Sequence, residues 1–157
     1  MKCFFLISCI ILALHSPAQT NVETEKQAVL EKVNGFFTAL EKKDTVLYNN
    51  LVMPKGQIWT VRRTQDTLKN NMRSFTEDMK KLVAMEQLIE ERALHTEIKI
   101  HNDIAIAWVP YTISIGKKFS HCGVDVFTFL KTPEGWKIVS CVYSIEPEGC
   151  AALKKDI

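Results

Sequence analysis

The hydrophobic residues of this chain recur at helical intervals in its first half and at every second position in its second half. Between Val22 and Leu40 the apolar positions share one face and charged residues separate them, which predicts an amphipathic helix ending near Lys43. Asp44 can cap a short second helix, which stops before Pro54 because the residue ahead of a proline disfavours helical backbone. The fold is therefore predicted to begin with two helices.

Two elements are predicted between these helices and the later strands. Residues 57–62 alternate in character and predict a short strand. Residues 66 to about 88 predict a helix or a pair of helices, in which Ser74 and Glu77 have the spacing of a capping box. One face of this helix carries Phe75, Met79, Leu82 and Val83.

Strand periodicity begins after Glu91 and predicts four strands, at residues 94–101, 104–115, 119–130 and 136–145. Pro133 lies in the short loop of the last hairpin, in which Lys131 is predicted to face Trp136. Helices followed by a long, bent sheet are typical of the α+β class. We expect one domain, residues 19–157, with N-terminal helices packed on a strongly curved antiparallel sheet that encloses a pocket.

The first 18 residues have the pattern of an export signal. Lys2 is a minimal basic region, Phe4 to Leu14 is apolar, and small residues at Ser16 and Ala18 fit signal-peptidase cleavage after Ala18. The apolar run is shorter than the roughly 20 residues that a transmembrane helix needs. A lipoprotein signal at Cys9 is the alternative, but the apolar run continues past it. The sequence predicts a secreted or periplasmic protein with no stable membrane anchor after cleavage.

Export leaves three cysteines in the mature chain, Cys122, Cys141 and Cys150. They form either one disulfide and a free thiol or three reduced, buried thiols. In the predicted hairpin Cys122 and Cys141 lie about four positions out of register, too far apart for a bond. Cys122 with Cys150 is the better pair if the chain turns back at residues 147–149. Buried free cysteines are the slightly favoured expectation.

Charge and motif content exclude several classes of function. The formal net charge is +2, with acidic and basic residues interspersed, which argues against a nucleic-acid partner. His95, His101 and His121 lack the spacing of metal ligands. The sequence contains neither a phosphate-binding glycine loop nor a nucleophile elbow. We therefore predict no metal site and no cofactor.

The stretch WVPYTISIGKKFSHCGVDVFTFLKTPEGWKI, with Glu148, Gly149 and Cys150 near the end of the chain, carries a family resemblance. The chain resembles nuclear-transport-factor-2-like domains, and more narrowly the small bacterial proteins labelled "putative lumazine-binding". The resemblance implies a cone of curved sheet closed by helices, often dimeric through the sheet. The superfamily includes isomerases, dehydratases and cyclases.

His121 and Asp125 are the candidate catalytic residues. They share one face of a strand with Phe127 and Phe129, since side chains alternate along a strand. Four residues separate them, about 13 Å, so they suit gripping one ligand better than a direct relay unless a bulge at Gly123 shortens the gap. The resemblance to ketosteroid-isomerase-like proteins implies that Asp125 removes a proton, with His121 as acid or donor. The alternative is that Asp125 only fixes the sheet, for example by accepting a hydrogen bond from Tyr143.

The predicted ligand-binding residues are Trp59, Arg63, Glu91, Trp108, Tyr111, Phe127, Phe129 and Tyr143. Trp108 and Tyr111 lie on opposite faces of a regular strand, so at most one of them lines the cone. Pro110 between them predicts an edge position or a bulge, because proline cannot donate to the ladder. An arginine in the segment covering the cone can bind a carboxylate or phosphate.

Three functions of different classes fit the sequence. The favoured one is an exported domain that holds a small, partly apolar ligand in the cone. The second is a cofactor-free acid-base enzyme, an isomerase, hydratase or cyclase, that uses Asp125 and His121. The third is a dimeric interaction module without ligand, suggested by residues 104–115, which are apolar on both faces. The expected partners are a small organic molecule and a second copy joined through the sheet.

Overall fold

The computed structural model of the protein describes residues 17–64, 67–148 and 150–153. Residues 1–16 of the predicted export signal lie outside the described residues. The helices are α1 (Pro17–Lys42), α2 (Thr45–Leu51), α3 (Phe75–Ala84) and α4 (Cys150–Leu153). The strands are β1 (Val52–Arg63), β2 (Leu68–Ser74), β3 (Ile89–Ala93), β4 (Glu97–His101), β5 (Ile104–Ile115), β6 (Lys118–Thr132) and β7 (Gly135–Ile145).

The seven strands form one curved, unclosed sheet in the order β2-β1-β7-β6-β5-β3, and β4 also pairs with β5. All pairs are antiparallel except β1 and β7, which run parallel. Helices followed by this sheet confirm the α+β prediction. The sheet is mixed rather than antiparallel throughout, because the chain returns from β2 through α3 and β3 to the far edge and reaches β7 last.

The broken strand opposite Pro110 shows how the sheet bends. β3 ends at Ala93 and β4 starts at Glu97, and both pair with β5. The amide of Leu94, in the gap between the two strands, still donates to the carbonyl of Pro110 at 2.8 Å. The backbone nitrogen of Pro110 faces the same gap. Proline has no N–H to offer there. The pairing with β5 shifts by one residue across this break, from Ala93 opposite Tyr111 to Glu97 opposite Trp108. Pro110 therefore lies opposite a one-residue bulge, which is one of the two predicted positions, and the missing donor coincides with the break in the neighbouring strand.

Local capping signals set the helix starts as predicted. The Asp44 carboxylate accepts hydrogen bonds from the amides of Val46 and Leu47, at 3.0 and 2.9 Å, and begins α2. Ser74 and Glu77 form the complete capping box of α3. These caps act within one turn, so their outcome does not depend on the rest of the fold.

The segment before α3 is a strand, which corrects the predicted helix from residue 66. Residues 68–74 pair with β1 at the sheet edge and are mostly exposed, so they carry neither a helical stripe nor a clear alternation. The helix starts only after its cap at Ser74. Val83, predicted on the buried face of this helix, is 49% exposed.

A disulfide joins Cys122 to Cys150, with 5.8 Å between their Cα atoms, whereas Cys141 is free and buried. The expectation of three free cysteines is therefore wrong, and the better pair named from the sequence is the one that forms. Cys122 pairs across the sheet with Glu146, one residue beyond the predicted position, because the β6–β7 register shifts after Thr128. The turn that follows brings Cys150 back to β6.

Aromatic rings fill the closed end of the cone. Phe36 on α1 packs against Tyr48, Phe75 and Phe127, with ring centroids 5.3, 6.4 and 5.2 Å apart. Phe129 continues this cluster behind Phe127. Helices α1, α2 and α3 are thereby held against the concave face of the sheet. The other end of the cone is not filled by side chains and contains a cavity.

Helix α1 is also fixed to the last hairpin. The Glu25 carboxylate accepts hydrogen bonds from the Trp136 indole at 2.7 Å and the Lys131 ammonium at 2.6 Å. Both bonds lower the pKa of Glu25. The predicted pairing of Lys131 with Trp136 in this hairpin is confirmed.

Candidate functional site

A cavity of about 310 Å³ lies between the concave face of the sheet and helices α1 and α3. Its apolar walls include Ile58, Leu82, Met85, Ile89, Ile113 and Ile115. Its polar lining comprises Arg73, Asp78, Glu91, Tyr111, His121, Asp125, Cys141 and Tyr143, with Lys81 exposed at the side of α3. An apolar chamber with a few convergent polar groups is the usual form of a small-molecule site.

Asp125 is the most deeply buried acid of the cavity, with 4% of its surface exposed. It lies between Val109 on β5 and Tyr143 on β7. Its Oδ1 accepts only a long contact from the Cys141 thiol, 3.9 Å, and its Oδ2 has no hydrogen-bond partner among the described residues. Burial, and then the charge of Glu91, raise the pKa of Asp125 well above its usual range. Both causes favour the protonated, uncharged form of Asp125.

Glu91 is a second acid in the same cavity. It comes from β3 and lies opposite Ile113. Burial, and secondarily the charge of Asp78, raise the pKa of Glu91 to about 8. Two carboxyl groups thus resist ionisation, because each would be buried without a cation beside it. Asp78 differs from both, because it is paired with the guanidinium of Arg73.

Arg73 and Asp78 form a partly buried polar network at the β2 side of the cavity. Arg73 donates to Asp78 at 2.6 Å, to the Thr60 hydroxyl at 2.8 Å and to the Tyr143 hydroxyl oxygen at 2.9 Å. The Tyr48 hydroxyl donates to the second oxygen of Asp78 at 3.1 Å. Burial disfavours the charge of Arg73, but Asp78 and Tyr143 outweigh it and raise the pKa of Arg73. The ion pair is satisfied within the protein.

Tyr111 and His121 both line the cavity. The Tyr111 hydroxyl donates to the carbonyl of Ser144 at 2.7 Å, and its ring meets the His121 ring at 5.9 Å. Nδ1 of His121 lies 2.9 Å from the Ser120 hydroxyl. Burial, and then the charge of Arg62, lower the pKa of His121, so the imidazole is neutral at neutral pH.

The structure brings together five of the residues singled out from the sequence: Glu91, Tyr111, His121, Asp125 and Tyr143 all line the cavity. Of Trp108 and Tyr111, only Tyr111 does so. The register between β5 and β6 shifts between the pairs Ile113–His121 and Ser114–Phe119, not at Gly123, so the spacing from His121 to Asp125 is not shortened. What these residues do chemically stays a prediction.

The other five predicted ligand contacts lie elsewhere. Trp59 and Trp108 are on the outer face of the sheet, 39% and 48% exposed. Arg63 is exposed and borders a shallow surface cleft at the end of β1. Phe127 and Phe129 point inward as predicted but are fully buried among other rings, because α1 crosses the sheet above them.

Sequence reasoning missed the Arg73–Asp78 pair, the Tyr48 hydroxyl and the cavity position of Cys141. Arg73 was assigned to a helix, where it would have been one more surface cation. A strand assignment for residues 68–74 would have placed Arg73 opposite Ile58, on the face that points into the cone. Only the β1–β2 pairing supplies that register.

None of the helices in the described part of the chain is long and apolar enough to cross a membrane. Within residues 17–64, 67–148 and 150–153, no three His, Cys, Asp or Glu side chains are grouped so that they could hold a metal ion.

A family model described as "Putative lumazine-binding" matches residues 24–144. No curated protein matches the chain. Among solved structures, a nuclear transport factor 2 (NTF2-like) superfamily protein from Salmonella enterica serovar Typhimurium LT2 is similar, with TM-score 0.65, 16% identity, and 81% of this chain and 94% of the other covered. An NTF2-like protein with a cystatin-like fold from Novosphingobium aromaticivorans gives TM-score 0.66, 11% identity, and coverages of 90% and 97%.

A third structure, a "putative dehydratase from the NTF2-like family" of Streptomyces avermitilis, gives TM-score 0.60 and 19% identity, with 79% of this chain and 97% of the other covered. At these identities the structural likeness concerns the fold. It confirms the predicted cone fold.

Proposed function

The chain belongs to the family described as "Putative lumazine-binding", and from this premise we propose that it is an exported domain that holds a small, partly apolar organic molecule inside its cone. The family supports a small-molecule-binding cone domain. The export and the nature of the ligand are our proposal.

One observation carries the binding proposal: Oδ2 of Asp125 is buried inside the cavity without a hydrogen-bond partner among the described residues. A buried polar atom left unpaired costs about 1–3 kcal/mol. A ligand seated in the cavity would offset that cost by providing the missing partner. The cavity volume, about 310 Å³, is at the lower end of the range for small-molecule sites, roughly 300–1,000 Å³.

The same geometry favours binding over proton abstraction by Asp125. A general base must be ionised, whereas burial and Glu91 hold the pKa of Asp125 well above its usual range. No hydrogen bond joins His121 to Asp125 among the described contacts, and the Nδ1 atom of His121 lies beside Ser120 instead. These groups are placed to contact a ligand separately.

The Cys122–Cys150 disulfide supports export to the cell surface, the periplasm or the medium. Disulfides persist in oxidising compartments and are rare in reducing ones. Cys141 is buried, so its thiol is shielded from forming a disulfide with another molecule even in an oxidising compartment. The apolar segment ahead of Ala18 is consistent with the same route.

Native mass spectrometry of the mature protein tests the binding proposal. We expect a mass adduct, either retained from the host or gained from a broad metabolite mixture. Ile113→Trp should remove the adduct by filling the cavity, whereas Ile106→Trp should keep it, because Ile106 is on the same strand but 44% exposed on the outer face. A wild-type protein without any adduct would contradict the proposal.

We also propose that two copies associate through the outer face of the sheet. Met72, Trp59, Val142, Val126 and Trp108 form a continuous row across five strands, the outer row, and Glu97 lies at its end. Four of its five members are more than a third exposed. A contiguous apolar band of this kind is typical of a surface that a partner covers. A second copy would bury the same row on both subunits.

Sedimentation measurements test the association. We expect a dimer at micromolar concentration and a dissociation constant at least about tenfold weaker for Trp108→Glu, because a charge would be buried within the interface. Phe119→Glu is the matched control, since Phe119 is an exposed aromatic outside the outer row. A wild-type monomer at tens of micromolar, or an equal effect of both variants, would contradict the outer row as the interface.

A further inference from the structure

Of the cationic side chains that line the cavity, Arg73 is already paired and Lys81 is exposed to solvent. Arg73 donates from all three of its nitrogen atoms to Asp78, Thr60 and Tyr143. Lys81 is exposed on α3. Burial, and then Arg62, lower the pKa of His121, which keeps its ring uncharged at neutral pH. The interior therefore offers no unpaired cation to an anionic ligand.

Asp125 and Glu91, the two acids discussed above, differ from Arg73 because neither has a cationic partner among the described residues. The nearest donor to Asp125 is the Cys141 thiol at 3.9 Å, and burial raises the pKa of that thiol as well. The Tyr111 hydroxyl, an O–H donor of the same cavity, is committed to the Ser144 carbonyl at 2.7 Å.

We propose that the ligand is an uncharged organic molecule whose carbonyl or similar acceptor atom takes a hydrogen bond from the carboxylic acid of Asp125, with Glu91 as a second acid donor at the β3 side. This inference rests on the proposed binding function and adds the charge class of the ligand and the group that recognises it. The unpaired Oδ2 atom of Asp125 marks where the acceptor binds.

Both charged classes of ligand meet a cost in this cavity. An anion would replace its hydration shell by an apolar wall, two neutral acids and an arginine that Asp78 already neutralises. A cation would require an ionised carboxylate, and burial disfavours ionisation of both Asp125 and Glu91. An uncharged acceptor avoids both costs and satisfies the O–H of the buried acid.

This recognition depends on pH with a defined sign. The ligand binds the protonated acids, so affinity is full while both are protonated and falls as the pH rises through their pKa values. The pKa of Glu91 is about 8, and the pKa of Asp125 is raised well above its usual range by burial and then by the charge of Glu91. A carboxylate formed at Glu91 also repels the acceptor atom of the ligand.

Three probes of one shape separate the charge classes: benzamide is neutral, benzoate is an anion and benzamidine is a cation. Binding is followed by NMR of the methyl groups of Ile58, Met85 and Ile113, which line the cavity. We expect benzamide to bind at least about tenfold more tightly than either charged probe at about pH 6, equivalent to about 1.4 kcal/mol. Its affinity should fall several-fold by about pH 9.

Two variants and a fourth probe identify the donor. Asp125→Leu should weaken benzamide by about tenfold without weakening toluene, because only the donor is removed. Asp125→Asn keeps an N–H donor and should keep benzamide binding, which preserves the test if the leucine variant fails to fold.

The outcomes separate this inference from the binding function. A preference for benzoate or benzamidine, or benzamide binding no more tightly than toluene in the wild-type protein, overturns the neutral-acceptor proposal and leaves the binding function standing. Failure of all four probes to shift the cavity methyl groups overturns the binding function itself.

Discussion

Replacing Arg73 by methionine is expected to cost about 3 kcal/mol of unfolding free energy, because it leaves Asp78, whose side chain is only 15% exposed, without its cation. Asp78 would keep only the Tyr48 hydroxyl at 3.1 Å, while Thr60 and Tyr143 would lose the guanidinium as a donor. Urea denaturation of wild type and variant measures this difference. An exposed arginine is the matched control: Arg63→Met should change the unfolding free energy by no more than about 0.5 kcal/mol.

A double variant separates the unpaired charge from the loss of packing. Arg73→Met combined with Asp78→Leu replaces both members of the ion pair by apolar side chains of similar size, and such exchanges are often neutral or stabilising. We expect the double variant to be more stable than Arg73→Met alone. If it is less stable, the pair contributes mainly through packing and the electrostatic account is wrong.

Gly123→Ala is the second substitution with a large expected effect, a loss of at least about 3 kcal/mol. A Cβ atom at position 123 would overlap the carbonyl oxygen of Ser144 and lie 2.9 Å from its carbonyl carbon. This contact is with backbone, so β7 must move away from β6. The same carbonyl accepts the Tyr111 hydroxyl, so the hydrogen bond at 2.7 Å is strained or lost as well.

Thermal unfolding measures this effect, with a decrease in Tm of about 10 °C expected for a chain of this length. Thr128→Ala, a small change elsewhere on β6 at a partly exposed site, should cost less than about 1 kcal/mol. A Gly123→Ala protein as stable as this control would contradict the prediction, because it would show that β7 can move away at Ser144 without loss of stability.

The features that could be predicted from the sequence depend on short-range rules. Asp44 and Ser74 set helix starts through hydrogen bonds within one turn, and the loop after Lys131 sets a pairing that its own few residues determine. Side-chain alternation places His121 and Asp125 on one face, which the cavity lining reproduces. Each of these predictions needed only neighbouring residues.

The errors arise where a distant segment decides the outcome. Residues 68–74 are an edge strand exposed on most of its length, so burial imposes no period on them and only the pairing with β1 reveals the strand. The side chains of Phe127 and Asp125 point to the same face of β6, yet Phe127 packs under α1 and Asp125 faces the cavity. Parity gives the face of a strand but not the depth along it.

The amino-acid sequence by itself determined most element types, with residues 68–74 as the exception, the inward direction of His121 and Asp125, and Cys122 with Cys150 as the better disulfide pair. These features depend on periodicity, capping and turn chemistry, which act over a few residues. The tertiary structure alone decided that Arg73 neutralises Asp78 and that Asp125 remains unpaired. Burial and ion pairing depend on which side chains from five or more separate elements come into contact around one cavity. Local sequence patterns do not specify those contacts.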